Sequence, residues 1–155
     1  MSWFLKHWGL FSYSNNVLKR TVTKPKLYFY DAGLVAHLIK WSDSETLMNG
    51  AMSGAILENF AVSEIIKSYH NCGLDPYIYY YRDRDTKEID IIMESDGKLH
   101  PIEIKKTATP ASQLTRVFGV IDKSPLIHGT GAVLCTSDKL SAFNSDNLIV
   151  PIWLV

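Results

Sequence analysis

Four residues of this 155-residue chain have the types and spacing for phosphodiester chemistry. Asp90 lies inside an apolar run with Ile89, Ile91 and Ile92, and Glu103 and Lys105 flank Ile104 in a second run. Strand side chains alternate faces, so Glu103 and Lys105 share one side while Ile104 points to the other. A hairpin between residues 88–94 and 98–105 would put Asp90 on that same side, near Glu103. Two carboxylates there repel and desolvate each other unless a cation or a proton intervenes. Lys105 neutralises part of that charge, and a divalent ion could neutralise the rest. Glu58 is the fourth residue. It falls at offsets 0, 3, 4, 7 and 11 with Ala61, Val62, Ile65 and Tyr69, so it borders a helical apolar stripe. An inward carboxylate needs a partner. Glu64, on the other shoulder of that stripe, is the weaker candidate. Hard oxygen ligands suit magnesium, which takes one or two carboxylates, waters and phosphate oxygens. A metal so held stabilises phosphoryl charge and acidifies water, while a lysine orients that water. Glu-x-Lys alone is common as a cross-face ion pair; Asp90 at hairpin distance and Glu58 on the preceding helix separate this set from that case.

The elements that must position these residues follow from periodicity and turn chemistry. Gly54 to His70 reads as an amphipathic helix on Leu57, Ala61, Val62, Ile65 and Tyr69, with Gly73 as its C-cap. Three strands follow, Pro76–Arg82, Glu88–Glu94 and Lys98–Lys105, joined by short turns at Asp85-Thr86-Lys87 and Ser95-Asp96-Gly97. Pro101 suggests an edge, a bulge or a later strand start. Thr109 or Ser112 would cap a helix to about Ile121, and Gly131–Thr136 and Leu148–Val155 are further strands. Upstream, Val17–Val22 and Lys26–Tyr30 read as short strands. Asp31 caps a helix over Ala32–Lys40, and residues 42–53 form a polar connection with one helical turn. The expected architecture is an α/β domain, a mixed sheet with helices, over residues 46–155. Residues 1–45 form a connecting unit of helix, two short strands and helix.

Composition narrows the class. A hydrophobic share of 46% with 21% charged residues is that of an ordinary globular chain. No apolar stretch is long enough to span a membrane, and no secretory signal is evident. A cytoplasmic location is expected. Cys72 and Cys135 are too far apart to suggest a zinc site or a disulfide framework. His7, His37, His70, His100 and His128 have no ligand-like spacing. Ser137, Ser141 and Ser145 lie in no Gly-x-Ser-x-Gly elbow, which argues against a serine hydrolase. The net charge is zero, yet residues 1–40 carry six cations and one acid and residues 41–155 carry ten cations and fifteen acids. Such asymmetry fits a basic arm that meets nucleic acid or a partner, or simply a solvated segment. Trp3, Phe4, Trp8, Leu10 and Phe11 make an apolar start that needs cover, from the chain, from another domain or from a second copy. Tyr77, Tyr79, Tyr80 and Tyr81 could stack on bases, although β-propensity on a half-buried strand explains them as well.

Glu58, Asp90 and Glu103-Ile104-Lys105, on helix, strand and strand in that order, resemble the PD-(D/E)XK signature of restriction-endonuclease-like proteins. More closely, YFYDAGL (28–34), GAILENFAVSEI (54–65), YYYRDRDTKEIDII (79–92), PIEIKKT (101–107) and VPIWLV (150–155) resemble one particular domain. It is the C-terminal domain of unknown function that follows the ATPase core in prokaryotic AAA-type ATPases. The resemblance implies a restriction-endonuclease-like mixed central sheet flanked by helices. It places Glu58, Asp90, Glu103 and Lys105 at the nuclease-like site. Asp90 and Glu103 would hold magnesium or manganese with the Ile104 carbonyl, Lys105 would activate water, and Glu58 would bind metal through water or orient Lys105. It also implies an ATPase module as partner, since no G-x-x-x-x-G-K-[ST] loop occurs here. Two departures stand out: Ile89, not proline, precedes Asp90, and no tyrosine follows Gln113 by a turn. The expected function is metal-dependent hydrolysis of nucleic acid. The alternative is an inactive nuclease-fold module that binds nucleic acid or protein and regulates the ATPase.

Overall fold

Alternating apolar runs build a sheet that is buried on both sides, and its strand order decides where polar residues can converge. The computed structural model describes residues 7–14, 24–41, 43–83 and 87–155. The expected strand Val17–Val22, the aromatics Trp3 and Phe4, and Arg84 with Asp85 and Thr86 lie outside these residues. A two-stranded antiparallel ribbon comes first, β1 (His7–Leu10) on β2 (Lys26–Phe29). His7–Leu10 is thus a strand, where the sequence pattern predicts a helix ahead of the strand pair. Three helices follow, α1 (Ala32–Leu38), α2 (Ser44–Asn49) and α3 (Ser53–Asn71). Asp31 caps α1 through Leu34 N–H, as expected, and Asp43 caps α2 through Thr46 N–H. Gly73 closes α3 at φ +72, with Gly73 N–H on the His70 carbonyl and Leu74 N–H on that of Tyr69, a Schellman motif.

The main sheet comprises β3 (Ile78–Arg82), β4 (Glu88–Ser95), β5 (Lys98–Lys105), β6 (Ile127–His128), β7 (Gly131–Cys135), β8 (Ser141–Ala142) and β9 (Asn147–Pro151). Its order is β3-β4-β5-β7-β9-β8, with β6 pairing beside β5. The β3, β4 and β5 strands form an antiparallel meander, whereas β5, β7 and β9 run parallel, so the sheet is mixed as expected. Ser95 pairs with Lys98, which leaves Asp96 (φ 50) and Gly97 (φ 72) as a two-residue turn of the type that hairpins favour. Pro101 is buried in this central strand, not at an edge. Its ring falls between the β6 pairing at Lys98 and Leu99 and the β7 pairing that begins at Ile102, where no ladder partner needs an N–H.

Each sheet face has its own cover. On one side α3 contributes Ala61, Val62, Ile65 and Ile66 against Ile78, Tyr80, Ile91, Ile102, Ile104 and Leu134. On the other, Phe118 and Ile121 pack on Ile89, Ile92 and Leu99. Those two residues belong to Ser112–Lys123, which winds as 3-10 turns instead of the expected α-helix. Neither Thr109 nor Ser112 caps it; Ala111 stands at the cap with no side-chain bond. Thr115 turns its hydroxyl back onto the Ser112 carbonyl, and Thr115, Val117, Gly119, Val120 and Ile121 are poor helix formers. The closing strand also stops early: after Pro151 the chain turns into a 3-10 turn at Ile152–Leu154. The two-residue strands β6 and β8 are too short to leave a period-2 signal.

The ribbon is tied to this body by backbone and side-chain bonds. Beyond β1, Tyr13 N–H donates to the Tyr80 carbonyl at 2.6 Å and Tyr80 N–H to that of Phe11 at 3.0 Å, covering the β3 edge. Asn59 of α3, nearly buried, accepts from Phe29 N–H at 2.8 Å and donates to the Phe29 carbonyl at 3.0 Å. Leu10 is fully buried and Trp8 meets His70 edge-on, so this part of the aromatic start is packed by the chain itself. Asn59→Ala leaves both Phe29 groups without that partner and is expected to cost about 2–4 kcal/mol in urea unfolding. A loss under about 0.5 kcal/mol would show that Asn59 does not clamp the ribbon.

Candidate active site

The site forms where the β4/β5 ladder opens. Ile102 and Ile104 of β5 pack toward α3, so by alternation Glu103 and Lys105 lie on the opposite side of the strand. Glu103 is nearly buried, and Lys105 Nζ stands 2.9 Å from its Oε1. The recorded β4/β5 pairing ends at Ile91 with Ile102, one position short of Asp90 and Glu103. Past that point the Asp90 side chain replaces the backbone: Ile104 N–H donates to Asp90 Oδ2 at 2.8 Å. An extended residue sends its N–H and C=O to the same side, so the Ile104 carbonyl leaves toward the same gap.

A bulge aims Asp90. Tyr79 pairs with Ile92 and Tyr81 with Ile89, so two steps of β3 span three of β4. Simple alternation, expected from the sequence, therefore fails here: Ile89 and Ile92 pack in one cluster and Ile91 in the other. Asp90 sits inside this irregularity.

The ribbon supplies two residues that the sequence reading did not place in the site. Lys26 and Tyr28 point inward from β2, while Leu27 between them is exposed. Lys26 Nζ lies 3.1 Å from Glu58 Oε1, 2.6 Å from Glu88 Oε1 and 4.0 Å from Asp90 Oδ1. Tyr28 donates its hydroxyl to the same Glu58 oxygen at 2.5 Å. Glu88, also missed, has Arg82 Nε at 4.0 Å on its other oxygen. The available signals were the period-2 polarity of KLYF and of EID, both of which are common in half-buried strands. Glu58 thus has Lys26 and Tyr28 as hydrogen-bond partners, and Lys105 bonds to Glu103. Glu64 pairs with Lys67 along α3.

Burial and mutual repulsion dominate the electrostatics. Burial, then the nearby Glu103 charge, pushes the Asp90 carboxyl up to about 7, against the Ile104 N–H that favours its ionised form. Burial likewise raises Glu103, with Lys105 opposing. Burial alone would lower Lys26 and Lys105, but the carboxylates around each outweigh it and hold both ammonium groups above their ordinary range. Tyr28 is raised far above its normal value by burial and by its bond to Glu58, so it stays a neutral donor.

Among the described residues no group of three or more His, Cys, Asp or Glu is spaced to hold a metal ion. The donor set that fits a hard cation is the smaller one of Asp90, Glu103 and the Ile104 carbonyl. Two carboxylates that burial raises, the Asp90 group further by the Glu103 charge, beside an open ladder, suit magnesium or manganese, which keep several waters. Elsewhere His128 pairs with Asp122, His100 Nδ1 meets the Thr130 carbonyl, and Cys135 is buried beside Ser137. A cavity of about 490 Å³ lined by Lys98, His100 and His128 lies at the start of β5, away from Lys105.

The Asp90 shift carries a sign. Its folded value lies above the ordinary one near 4, so between about 4 and about 7 the folded chain binds the extra proton. The contribution of this group to stability is full at low pH and is lost as pH rises through about 7. Asp90→Asn is expected to flatten that slope and to stabilise the metal-free protein at pH 8 by roughly 1–3 kcal/mol, read by denaturant melts at pH 5 and pH 8. Equal destabilisation at both pH values would show that the carboxyl is not strained.

Comparison with known proteins adds lineage. Two mycobacterial proteins, "Uncharacterized protein Mb2031c" of Mycobacterium bovis and "Uncharacterized protein Rv2008c" of Mycobacterium tuberculosis, are each 30% identical over 108 residues, which is 69% of this chain. The aligned part is only 23% of either relative, so this chain matches less than a quarter of their length. No solved structure matches it. No helix among the described residues is long and apolar enough to cross a membrane. The family described as "Domain of unknown function (DUF4143)" matches residues 53–155, from the start of α3 to the last residue and with Glu58, Asp90, Glu103 and Lys105 inside it, and this chain belongs to that family.

Proposed function

We propose that this chain is a PD-(D/E)XK, restriction-endonuclease-like module that hydrolyses phosphodiester bonds in nucleic acid with magnesium or manganese, working beside an AAA-type ATPase. The observation that carries the reading is the Asp90 carboxylate taking over the Ile104 N–H at the open ladder, beside Glu103 and Lys105. Asp90 and Glu103, with the Ile104 carbonyl, would hold the cation. When bound, it offsets charge on the phosphoryl group and lowers the pKa of water. Lys105, half-exposed and paired with Glu103, is the residue that can reach solvent to orient the attacking water. Glu58 acts from behind, holding Lys26 and Tyr28. The small share of the relatives' length spanned by this chain leaves room for an ATPase module in such proteins.

A second reading is supported by the internal pairing of both lysines with carboxylates. Here the module binds nucleic acid or protein and regulates the ATPase without turnover. Metal response separates the two: a rise in melting temperature with magnesium or manganese, absent in Asp90→Ala, is expected for the nuclease and not for the inactive module.

Catalysis has its own test. Purified chain with manganese is expected to nick supercoiled DNA or cleave RNA. Asp90→Ala and Lys105→Ala should each reduce the rate at least about 100-fold. Cleavage that survives both substitutions would remove the assignment.

A further inference from the structure

Three carboxylates from two elements converge on one side-chain ammonium. Glu58 comes from α3, and Glu88 and Asp90 from β4, and Lys26 Nζ stands 3.1, 2.6 and 4.0 Å from their oxygens. Among the described residues, the Tyr80 ring also lies near it, 5.5 Å from Nζ, and Tyr28 shares the Glu58 oxygen. An ammonium carries three N–H donors, and these neighbours give it acceptors on several sides. We infer that Lys26 is a resident counter-ion with which a divalent cation competes, so that the β1–β2 ribbon sets the affinity of the site for metal. This rests on the metal-dependent reading above.

First, the Lys26 ammonium stands 4.0 Å from Asp90 Oδ1, so a cation held by Asp90 would have a second positive charge within a few ångströms, and like charges that close in a half-buried site oppose each other. Second, Lys26 holds Glu58 and Glu88, and so removes two carboxylates that would otherwise draw a cation in. Among the described residues this leaves Asp90 and Glu103 as the small donor set. Third, the ribbon does not depend on Lys26 for its place. Asn59 clamps Phe29, Tyr28 bonds Glu58, and residues 11–13 pair with β3. The cation therefore comes from a segment with its own anchors, and that segment precedes residue 53, where the family match begins.

The test titrates manganese alone into the full chain at pH 8.5, followed by calorimetry and by the manganese EPR signal. Lys26→Gln is expected to bind manganese about tenfold or more tighter than the unmodified chain. Lys26→Arg, which keeps the charge, is expected to stay within about twofold of it. Equal or weaker binding by Lys26→Gln, or tighter binding by Lys26→Arg, overturns the inference and leaves the metal-dependent reading standing. No binding by the unmodified chain and Lys26→Gln alike overturns both. Should Lys26→Gln fail to fold by circular dichroism, acetylation of the unmodified chain decides. Lys26 should react at least about twofold faster at saturating manganese while exposed Lys98 does not change, because the ion loosens the ammonium from its carboxylates. An unchanged or slower rate at Lys26 overturns the inference.

Discussion

The bond from Ile104 N–H to the Asp90 carboxylate is the constraint on which the rest of the site depends. A strand in mid-sheet must satisfy its backbone groups, and an interrupted ladder leaves a donor that water or a side chain has to take. Asp90 takes it, so β4 and β5 can part without an orphaned amide. The gap that results is the one the Ile104 carbonyl faces, and it brings a half-buried carboxylate next to Glu103. Every later feature answers that placement. Lys105 balances Glu103, Lys26 reaches the edge of Asp90, and the bulge in β4 turns Asp90 into the position it needs.

The charges of the chain are organised around the same point. The basic segment, residues 1–40, delivers Lys26 into the acidic body, where burial alone would lower its pKa. The surrounding carboxylates outweigh this and hold it above its ordinary range. Tyr28 stays protonated beside them and donates to Glu58.

Much of the fold was legible because its signals are local. The stripe on α3, its Gly73 terminus, the Asp31 cap and the Asp96-Gly97 turn each follow from a few neighbouring residues, and each stands where expected. The bulge at Asp90 escaped because it depends on the register against β3, whereas the 3-10 winding of Ser112–Lys123 has a local source, poor helix formers without a capping side chain, that the apolar spacing hides. Two-residue strands such as β6 carry no period at all. The candidate site divides along the same line. Asp90, Glu103 and Lys105 belong to one hairpin and could be found by counting along it. Lys26 is separated from Glu58 by 32 positions and from Glu88 by still more, and only the folded ribbon brings them together.

The two-residue turn at Asp96 and Gly97 serves as a ruler for the pair of carboxylates. Asp90 lies six positions before Asp96, and Glu103 six positions after Gly97. Their encounter, roughly 20 Å from the turn at ~3.3 Å per residue, is fixed by equal arm lengths. The composition of the turn can vary wherever positive φ is tolerated, but its length cannot. One residue added to the β5 arm, ahead of Ile102, sends the Glu-x-Lys side chains to the α3 face and puts Ile102 and Ile104 in place of the two charges. In this hairpin, chemistry at one end is a matter of counting from the other.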